Sequence, residues 1–278
     1  MHTVTMLQED VRNFLHFHGI RLNTDLGQHF LIDEGILQKI TDSASLFSGD
    51  NVLEIGPGIG ILTHELLAKG ASVTAIEIDP RMIPLLMTYV TKNGKASPEH
   101  LKVIQGNALH ASLPIKAPFK VIANIPYHIT SPLLHRLFLE EASRPVSMTL
   151  LIQKEVAENI CSLTSESILT VLTQIFGTAT YVCDVPPQCF LPPPAVDSAV
   201  IRIDCYPEPL ADAETTEKIL SLVKHAMSKR RKMLSNSIGA LPFGMEAMEK
   251  ASIDPKRRPQ TLTVQEWIAL EKALSQCR

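Results

Sequence analysis

One stretch, Asn51 to Pro80 (NVLEIGPGIGILTHELLAKGASVTAIEIDP), gathers groups that could hold a small polar ligand. Val52-Leu53-Glu54-Ile55 is the short aliphatic run of a buried strand. Gly56, Gly58 and Gly60 follow at alternate positions, and Ile61 to Lys69 predicts a helix closed by Gly70. Ala71 to Ile78 predicts a second strand that ends in an acid, Glu77. Glycines allow backbone to approach a ligand, and a carboxylate can accept from ribose hydroxyls, so the unit suits a nucleoside. It does not suit a dinucleotide. The Gly-x-Gly-x-x-Gly fingerprint would place Ile61 where the third glycine must let the helix pack close under a pyrophosphate.

The spacing from Glu54 to Gly60, Glu-x-Gly-x-Gly-x-Gly, resembles the first motif of S-adenosylmethionine (SAM) methyltransferases. SAM has no pyrophosphate, but its ribose diol suits Glu77 and its amino-acid moiety suits the glycine loop. Asn124-Ile125-Pro126-Tyr127, after a predicted strand Phe119 to Ala123, resembles the motif of methyltransferases that act on exocyclic amino groups. The chemistry demands such residues. The N6 amine of adenine is a poor nucleophile because its lone pair is delocalised into the ring. The Asn124 side-chain oxygen and the Ile125 carbonyl can accept its two N–H bonds and free that lone pair. Pro126 stiffens the turn, and Tyr127 offers a ring for stacking. Catalysis is then chiefly alignment of the amine with the sulfonium methyl, with no dedicated base. Alone, the tetrapeptide would read as a β-turn; its place at the end of a strand in this unit supports the functional reading.

The elements that position these groups alternate. A short helix over 9–20 and a helix Glu34 to Thr41 capped by Asp33 precede the glycine unit. A helix Asp79 to Val90, strand Leu101 to Gln105, strand Phe119 to Ala123, helix Pro132 to Glu140, strand Met148 to Ile152 and helix Lys154 to Ile160 follow it. A helix Ser167 to Phe176 and strands near Thr178 to Val182 and Ser198 to Ile203 finish the sheet. The pattern predicts an α/β fold with a doubly wound, mostly parallel, Rossmann-like sheet. Gly56, Glu77, Asn107 and Asn124 all fall at carboxyl ends of strands, where such sheets bind ligands. Beyond Pro207-Glu208-Pro209 the alternation stops, and helices Ala213 to Ser228, Met245 to Lys250 and Val264 to Ser275 are expected. We therefore expect a domain over 1–206, with a helical N-terminal extension over about 1–33, and a small all-helical domain over 207–278.

The chain of 278 residues is 45% hydrophobic and 20% charged, ordinary for a globular protein. No apolar run reaches the ~18 residues of a membrane span, and the start carries Glu9 and Asp10 before any apolar run, unlike a signal peptide. The five cysteines form no Cys-x-x-Cys pair, which predicts reduced thiols, no metal site and a cytoplasmic location. The net charge of -3 hides an asymmetry: Lys224 to Arg278 holds eleven Lys/Arg against five Asp/Glu, +6, so the remainder sums to -9. A polyanion would dock on that basic tail, through Lys224, Lys229, Arg230, Arg231, Lys232, Arg257 and Arg258. Lys224, Ser228, Arg231 and Ser235 would share one helical face. A solvated helix face is the alternative reading of the same charges.

Several motifs extend the resemblance over nearly the whole chain. They are Gly27-Gln28-His29-Phe30-Leu31, Leu53 to Gly58, Glu77-Ile78-Asp79, Asn124 to Tyr127 with Thr130-Ser131-Pro132, Gln153 to Glu158, the run Phe190 to Val200, and Ile253-Asp254-Pro255 in the tail. Together they resemble the KsgA/RsmA family of 16S ribosomal RNA adenine N6,N6-dimethyltransferases. The resemblance implies SAM as cofactor, held by Gln28, His29, Leu31, Gly56, Gly58, Glu77, Ile78, Asn107, Ala108 and Asn124. It implies as substrate two adjacent adenosines in a hairpin near the 3′ end of 16S rRNA in the immature small subunit, methylated by a monomer. Phe190 could hold the opposite face of the target base, or be a core residue beside the polyproline segment. The chain departs from the family at Asn107, where an aspartate is usual, at Leu163 to Glu166, where a Tyr-Gly pair is usual, and at Gln260, where a glutamate is common. The rival readings are a 23S rRNA adenine methyltransferase, a DNA adenine methyltransferase and a non-enzymatic assembly factor on the same fold.

Overall fold

In the computed structural model, which describes residues 6–23, 26–92, 96–164, 167–229 and 231–277, alternating apolar runs and turns become alternating strands and helices. In chain order these are α1 (Met6–Phe17), β1 (Phe30–Leu31), α2 (Glu34–Ser43), β2 (Asn51–Ile55), α3 (Ile61–Ala68), β3 (Ser72–Glu77), α4 (Met82–Thr91), β4 (Leu101–Gln105), β5 (Phe119–Asn124), α5 (Thr130–Leu139), β6 (Ser147–Gln153), α6 (Lys154–Ile160), α7 (Ile168–Phe176), β7 (Gly177–Val185), β8 (Phe190–Leu191), β9 (Ser198–Cys205), α8 (Ala213–Met227), α9 (Gly244–Lys250) and α10 (Val264–Cys277). The Asp33 carboxylate accepts from Ile36 N (2.9 Å) and starts α2 where expected.

The main sheet has the order β4-β3-β2-β5-β6-β9-β7. The pairs β3–β4, β2–β3, β2–β5 and β5–β6 are parallel, and β9 runs antiparallel to β6. Central parallel strands are covered on both faces, so both sides of the pleat must be apolar. Val52 and Leu53 in β2 and Val121, Ile122 and Ala123 in β5 are accordingly buried. The strand order reverses between β2 and β5, and this switch point opens a crevice at their carboxyl ends. The sequence did not foretell a second, two-stranded sheet in which β1 pairs with β8, Phe30 opposite Leu191 and Leu31 opposite Phe190. Two-residue strands carry too little periodicity to be read.

The chain divides into two compact units, Met1–Ala157 with Thr180–Asp204, and Glu158–Ala179 with Cys205–Arg278. The second unit thus takes in α7 as well as the helices after 206. The reason is packing: Leu169, Val171, Leu172, Ile175 and Phe176 of α7 are buried, and α7 packs on α8 and α10. Tyr206 N and Leu210 N donate to the carbonyls of Phe176 (2.8 Å) and Ile175 (2.9 Å). Trp267 of α10 is fully buried in this unit.

Candidate functional site

The crevice of the first unit is built from five segments. Leu26, Gly27, Gln28, His29, Phe30, Gly56, Gly58, Glu77, Ile78, Asn124 and Pro126 line one half of it. The other half shares Leu26, Gly56, Ile78 and Pro126 and adds Ile55, Ile76, Gly106, Asn107, Ala108, His128 and Ile129. A smaller recess beside it is lined by Phe30, Leu31, Glu54, Gly56 and Asn124, among others. The structure therefore brings together ten sequence-predicted residues, Gln28, His29, Gly56, Gly58, Glu77, Ile78, Asn107, Ala108, Asn124 and Pro126, around one crevice. Leu31 lies in the recess, 5% exposed.

The glycines act differently. Gly56 has φ +65°, and a Cβ built there would make only ordinary contacts, 3.9 Å from Pro126 and 4.0 Å from the Asn124 carbonyl. Gly58 has φ +57°, and a Cβ would lie 2.4 Å from the Phe30 ring. Gly56 thus leaves room for a ligand, whereas Gly58 leaves room for Phe30. The Glu77 carboxylate closes β3 and braces the loop: it accepts from Gly58 N (3.0 Å) and Asp79 N (2.8 Å). Burial pushes its pKa up, while the Asp79 and Gly58 amides pull it down. Behind the loop, the buried Glu54 carboxylate accepts from the Thr63 hydroxyl (2.6 Å), and burial raises its pKa to about 8.

The segment 26–31 lines the crevice and is tied by four hydrogen bonds. Gln28 Nε2 donates to Asp79 Oδ2 (2.8 Å), and Gln28 Oε1 accepts from Asn23 N (2.7 Å). Both ends of this side chain are therefore engaged in shaping the segment. Asp79 also receives the Arg81 guanidinium (2.6 Å), which with the Gln28 bond holds its pKa down at about 2. His29 Nδ1 donates to the Pro192 carbonyl (2.7 Å). The His29 carbonyl in turn accepts from Asn124 Nδ2 (3.0 Å). Gly27 lies against Pro126, where a Cβ would come within 2.8 Å of the proline ring.

Ile125 is 1% exposed, and its N–H donates to the Leu151 carbonyl (3.0 Å), so β6 anchors the turn. Tyr127 is half-buried, its hydroxyl 2.5 Å from the Ser198 hydroxyl, and burial raises its pKa. Phe190 is 3% exposed within the hydrophobic core around β1 and β8, so this arrangement presents no free ring face there. Leu26, His128 and Ile129 line the crevice without a predicted role, and Phe30 joins them from within the Gly27 to Leu31 motif. Leu26 directly precedes that motif, which is the available signal.

In the second unit, Lys224, Lys229, Arg231, Lys232 and Arg258 are exposed. Arg230 lies outside the described residues. The expected single helical face is corrected: α8 ends at Met227 with Ser228 as its cap, and Lys232 N donates to the Lys229 carbonyl (2.7 Å) in a turn. Arg257 differs from its neighbours. Its guanidinium forks onto Glu266, with Nη2 at 3.1 Å from Oε2 and Nη1 on Oε1, and it reaches Thr261 as well. Leu234 N and Ser235 N donate to the carbonyls of Arg257 (2.8 Å) and Pro255 (2.9 Å), which brings the two basic runs side by side.

The crevice can take an adenosine-type ligand. It has a buried carboxylate at the end of β3, a glycine with space before it, and an apolar slot made by Ile78 (49% exposed), Ala108, Pro126 and Ile129. These residues fit SAM. Among the described residues no cluster of three or more His, Cys, Asp or Glu could hold a metal ion, and no helix is long and apolar enough to cross a membrane.

The model of the family described as ribosomal RNA adenine dimethylase matches residues 19–276. The "Ribosomal RNA small subunit methyltransferase A" of Alkaliphilus metalliredigens is 39% identical over 274 residues, 93% of each chain. The protein of that name from Dehalococcoides mccartyi is 35% identical over 283 residues, 98% of this chain and 95% of the relative. Among solved structures, a dimethyladenosine transferase from Plasmodium falciparum superposes with a TM-score of 0.74 at 28% identity, covering 90% of this chain and 98% of the other. The 23S rRNA methyltransferase ErmE does so at 0.66 and 29% identity, covering 88% and 99%.

Proposed function

The chain belongs to the ribosomal RNA adenine dimethylase family, and on that premise we propose that it dimethylates the N6 amino groups of two adjacent adenosines in a hairpin near the 3′ end of 16S rRNA. The class of reaction is that of the family: the chain is a SAM-dependent rRNA adenine dimethyltransferase. The observation that carries the site assignment is the Asn124–His29 bond. With Nδ2 committed to a carbonyl, Oδ1 remains as an acceptor at the mouth of the crevice. That is the end an exocyclic amine needs.

When bound, SAM supplies an electrophilic methyl on a sulfonium. The chain's own residues do the rest. Glu77 accepts from the ribose hydroxyls with lone pairs its backbone donors leave over. Gly56 lets the backbone approach the ligand. Ile78, Ala108 and Asn107 form walls of the slot for the adenine ring. Asn124 Oδ1 and the Ile125 carbonyl accept from the target amine, and Tyr127 stacks on the target base, which must leave its own stack to arrive. Lys229, Arg231, Lys232 and Arg258 bind phosphates. The immature small subunit is the partner, a monomer the working form, and the cytoplasm the place.

The small-subunit names of the relatives favour 16S rRNA. The likeness to ErmE keeps 23S rRNA as a second reading. Methyl transfer from labelled SAM to ribosomal subunits lacking the modification tests both. Dimethyladenosine in the 16S hairpin is the expected product; product confined to 23S rRNA would overturn the proposal.

A further inference from the structure

Arg136 is a buried cation in no group described above. It sits on α5, 8% exposed, and every nitrogen of its guanidinium is engaged. Nε donates to Glu141 Oε1 (2.7 Å), and Nη2 lies 2.6 Å from the same carboxylate. Nη1 donates to the Ala108 carbonyl, and Nη2 to the Ala111 carbonyl (2.6 Å). A buried guanidinium is tolerated only when paired and hydrogen-bonded. Glu141 supplies the opposite charge, and the carbonyls of Ala108 and Ala111 take the donors it leaves over. Both carbonyls belong to one turn, and that turn is a wall of the crevice.

The turn holds itself together: Asn107 Oδ1 accepts from Leu109 N (2.9 Å), and its carbonyl accepts from His110 N (2.9 Å) and Ala111 N (2.7 Å). These bonds close it but do not attach it. Its start is tethered to the sheet by Gly106 N, which donates to the Glu77 carbonyl (2.8 Å). Arg136 tethers the rest. The facing wall of the slot is Pro126, His128 and Ile129, which lead directly into α5. One helix therefore continues from one wall and, two turns on, grips the other.

We propose that Arg136 is a positioning residue for SAM, which sets the width of the slot that takes the adenine ring by pinning Ala108 and Ala111 to α5. This rests on the reading of the crevice as the SAM site. Calorimetric titration of SAM and steady-state kinetics on rRNA test it. Arg136→Ala is expected to raise the Kd and the KM for SAM by about tenfold or more, the scale of a lost charged hydrogen bond. kcat at saturating SAM and the KM for RNA should stay within about twofold, which a general loss of structure would not allow. Arg136→Lys, a point charge able to reach one carbonyl, should recover part of the affinity. A folded Arg136→Ala protein with wild-type SAM affinity would overturn the inference. If that variant fails to fold, Arg136→Lys and Glu141→Gln decide: normal SAM affinity in both overturns it, weakened affinity in either supports it. Gly56→Val separates the two levels. If it abolishes SAM binding while the Arg136 variants bind normally, only the positioning role fails; if it too binds normally, the crevice reading fails.

Discussion

The side-chain amide of Asn124, at the end of β5, donates across 3.0 Å to the main-chain carbonyl of His29, 95 residues earlier. A carbonyl can only accept, so the bond determines which end of the amide stays available. It also joins the segment lining the crevice to the turn that would receive the target amine. Any change at Asn124 therefore affects both.

Asn124→Ala removes the acceptor and the tie to His29 together. We expect methyl transfer to fall by at least about a hundredfold, the scale of losing one aimed polar group in an active site. SAM binding should be weakened but measurable. Full activity in single-turnover transfer would refute the acceptor role.

Tyr127 separates into a ring and a hydroxyl. The hydroxyl meets Ser198 at 2.5 Å, while stacking needs only the ring. Tyr127→Phe should therefore keep kcat/KM within about tenfold. Tyr127→Ala should lower it by roughly ten- to a hundredfold, since base–aromatic stacking contributes about 1–3 kcal/mol. Equal losses would give the role to the hydroxyl.

Gly58→Ala places a methyl 2.4 Å from the Phe30 ring at φ +57°. A destabilisation of about 1–3 kcal/mol is expected from the left-handed backbone alone, together with weaker SAM binding as the loop moves off Glu77. Thermal unfolding with and without SAM measures both; an unchanged melting temperature would contradict the packing described.

The basic tail divides in a way that salt dependence can read. Arg231→Ala and Lys232→Ala should each reduce the slope of log affinity against log salt by about 0.7–0.9 for every phosphate that the side chain neutralises. Arg257→Ala should leave the slope alone and lower the melting temperature, because its guanidinium is held by Glu266. A flattened slope for Arg257→Ala would return that residue to the RNA face.

Glu54 predicts a pH dependence. Its pKa rises from 4.5 in the unfolded chain to about 8 in the fold, so between those values the native state binds more protons than the unfolded one. The contribution of Glu54 to stability therefore falls as pH rises through that window. Glu54→Gln, whose amide oxygen can still accept from Thr63, should flatten this decline in melting temperature from pH 5 to 8. Identical profiles for both proteins would remove Glu54 as the cause.

Local patterns made the core of the fold legible. Val52 to Ile55, the three glycines, the helix Ile61–Ala68 and the acid at Glu77 declare a strand, a turn, a helix and a strand within one window of chain, because periodicity and turn chemistry are local properties. The crevice was legible for the same reason: Gly56, Glu77, Asn107 and Asn124 each end a strand, and parallel strands bring their ends together. The α7 helix was legible as an element but not as part of the second unit, since its partners α8 and α10 lie far along the chain.

What only the tertiary structure decided is which polar group meets which. Gln28 lines the crevice as its motif implies, but that its side chain also spans to Asp79, 51 residues away, is visible only in the fold. The sequence allows Phe190 either a base or the core, and in the fold, opposite Leu31, it is buried in the core. Arg257 reads in sequence like Arg258, yet one forks onto Glu266 while the other is exposed. Arg136 carries no signal in its neighbourhood and acquires its partners Ala108 and Ala111 only when α5 folds back across the sheet. Apolar periodicity specifies a face, not a partner; hydrogen bonds and ion pairs are chosen at distances of a few ångströms between residues that the chain itself keeps far apart.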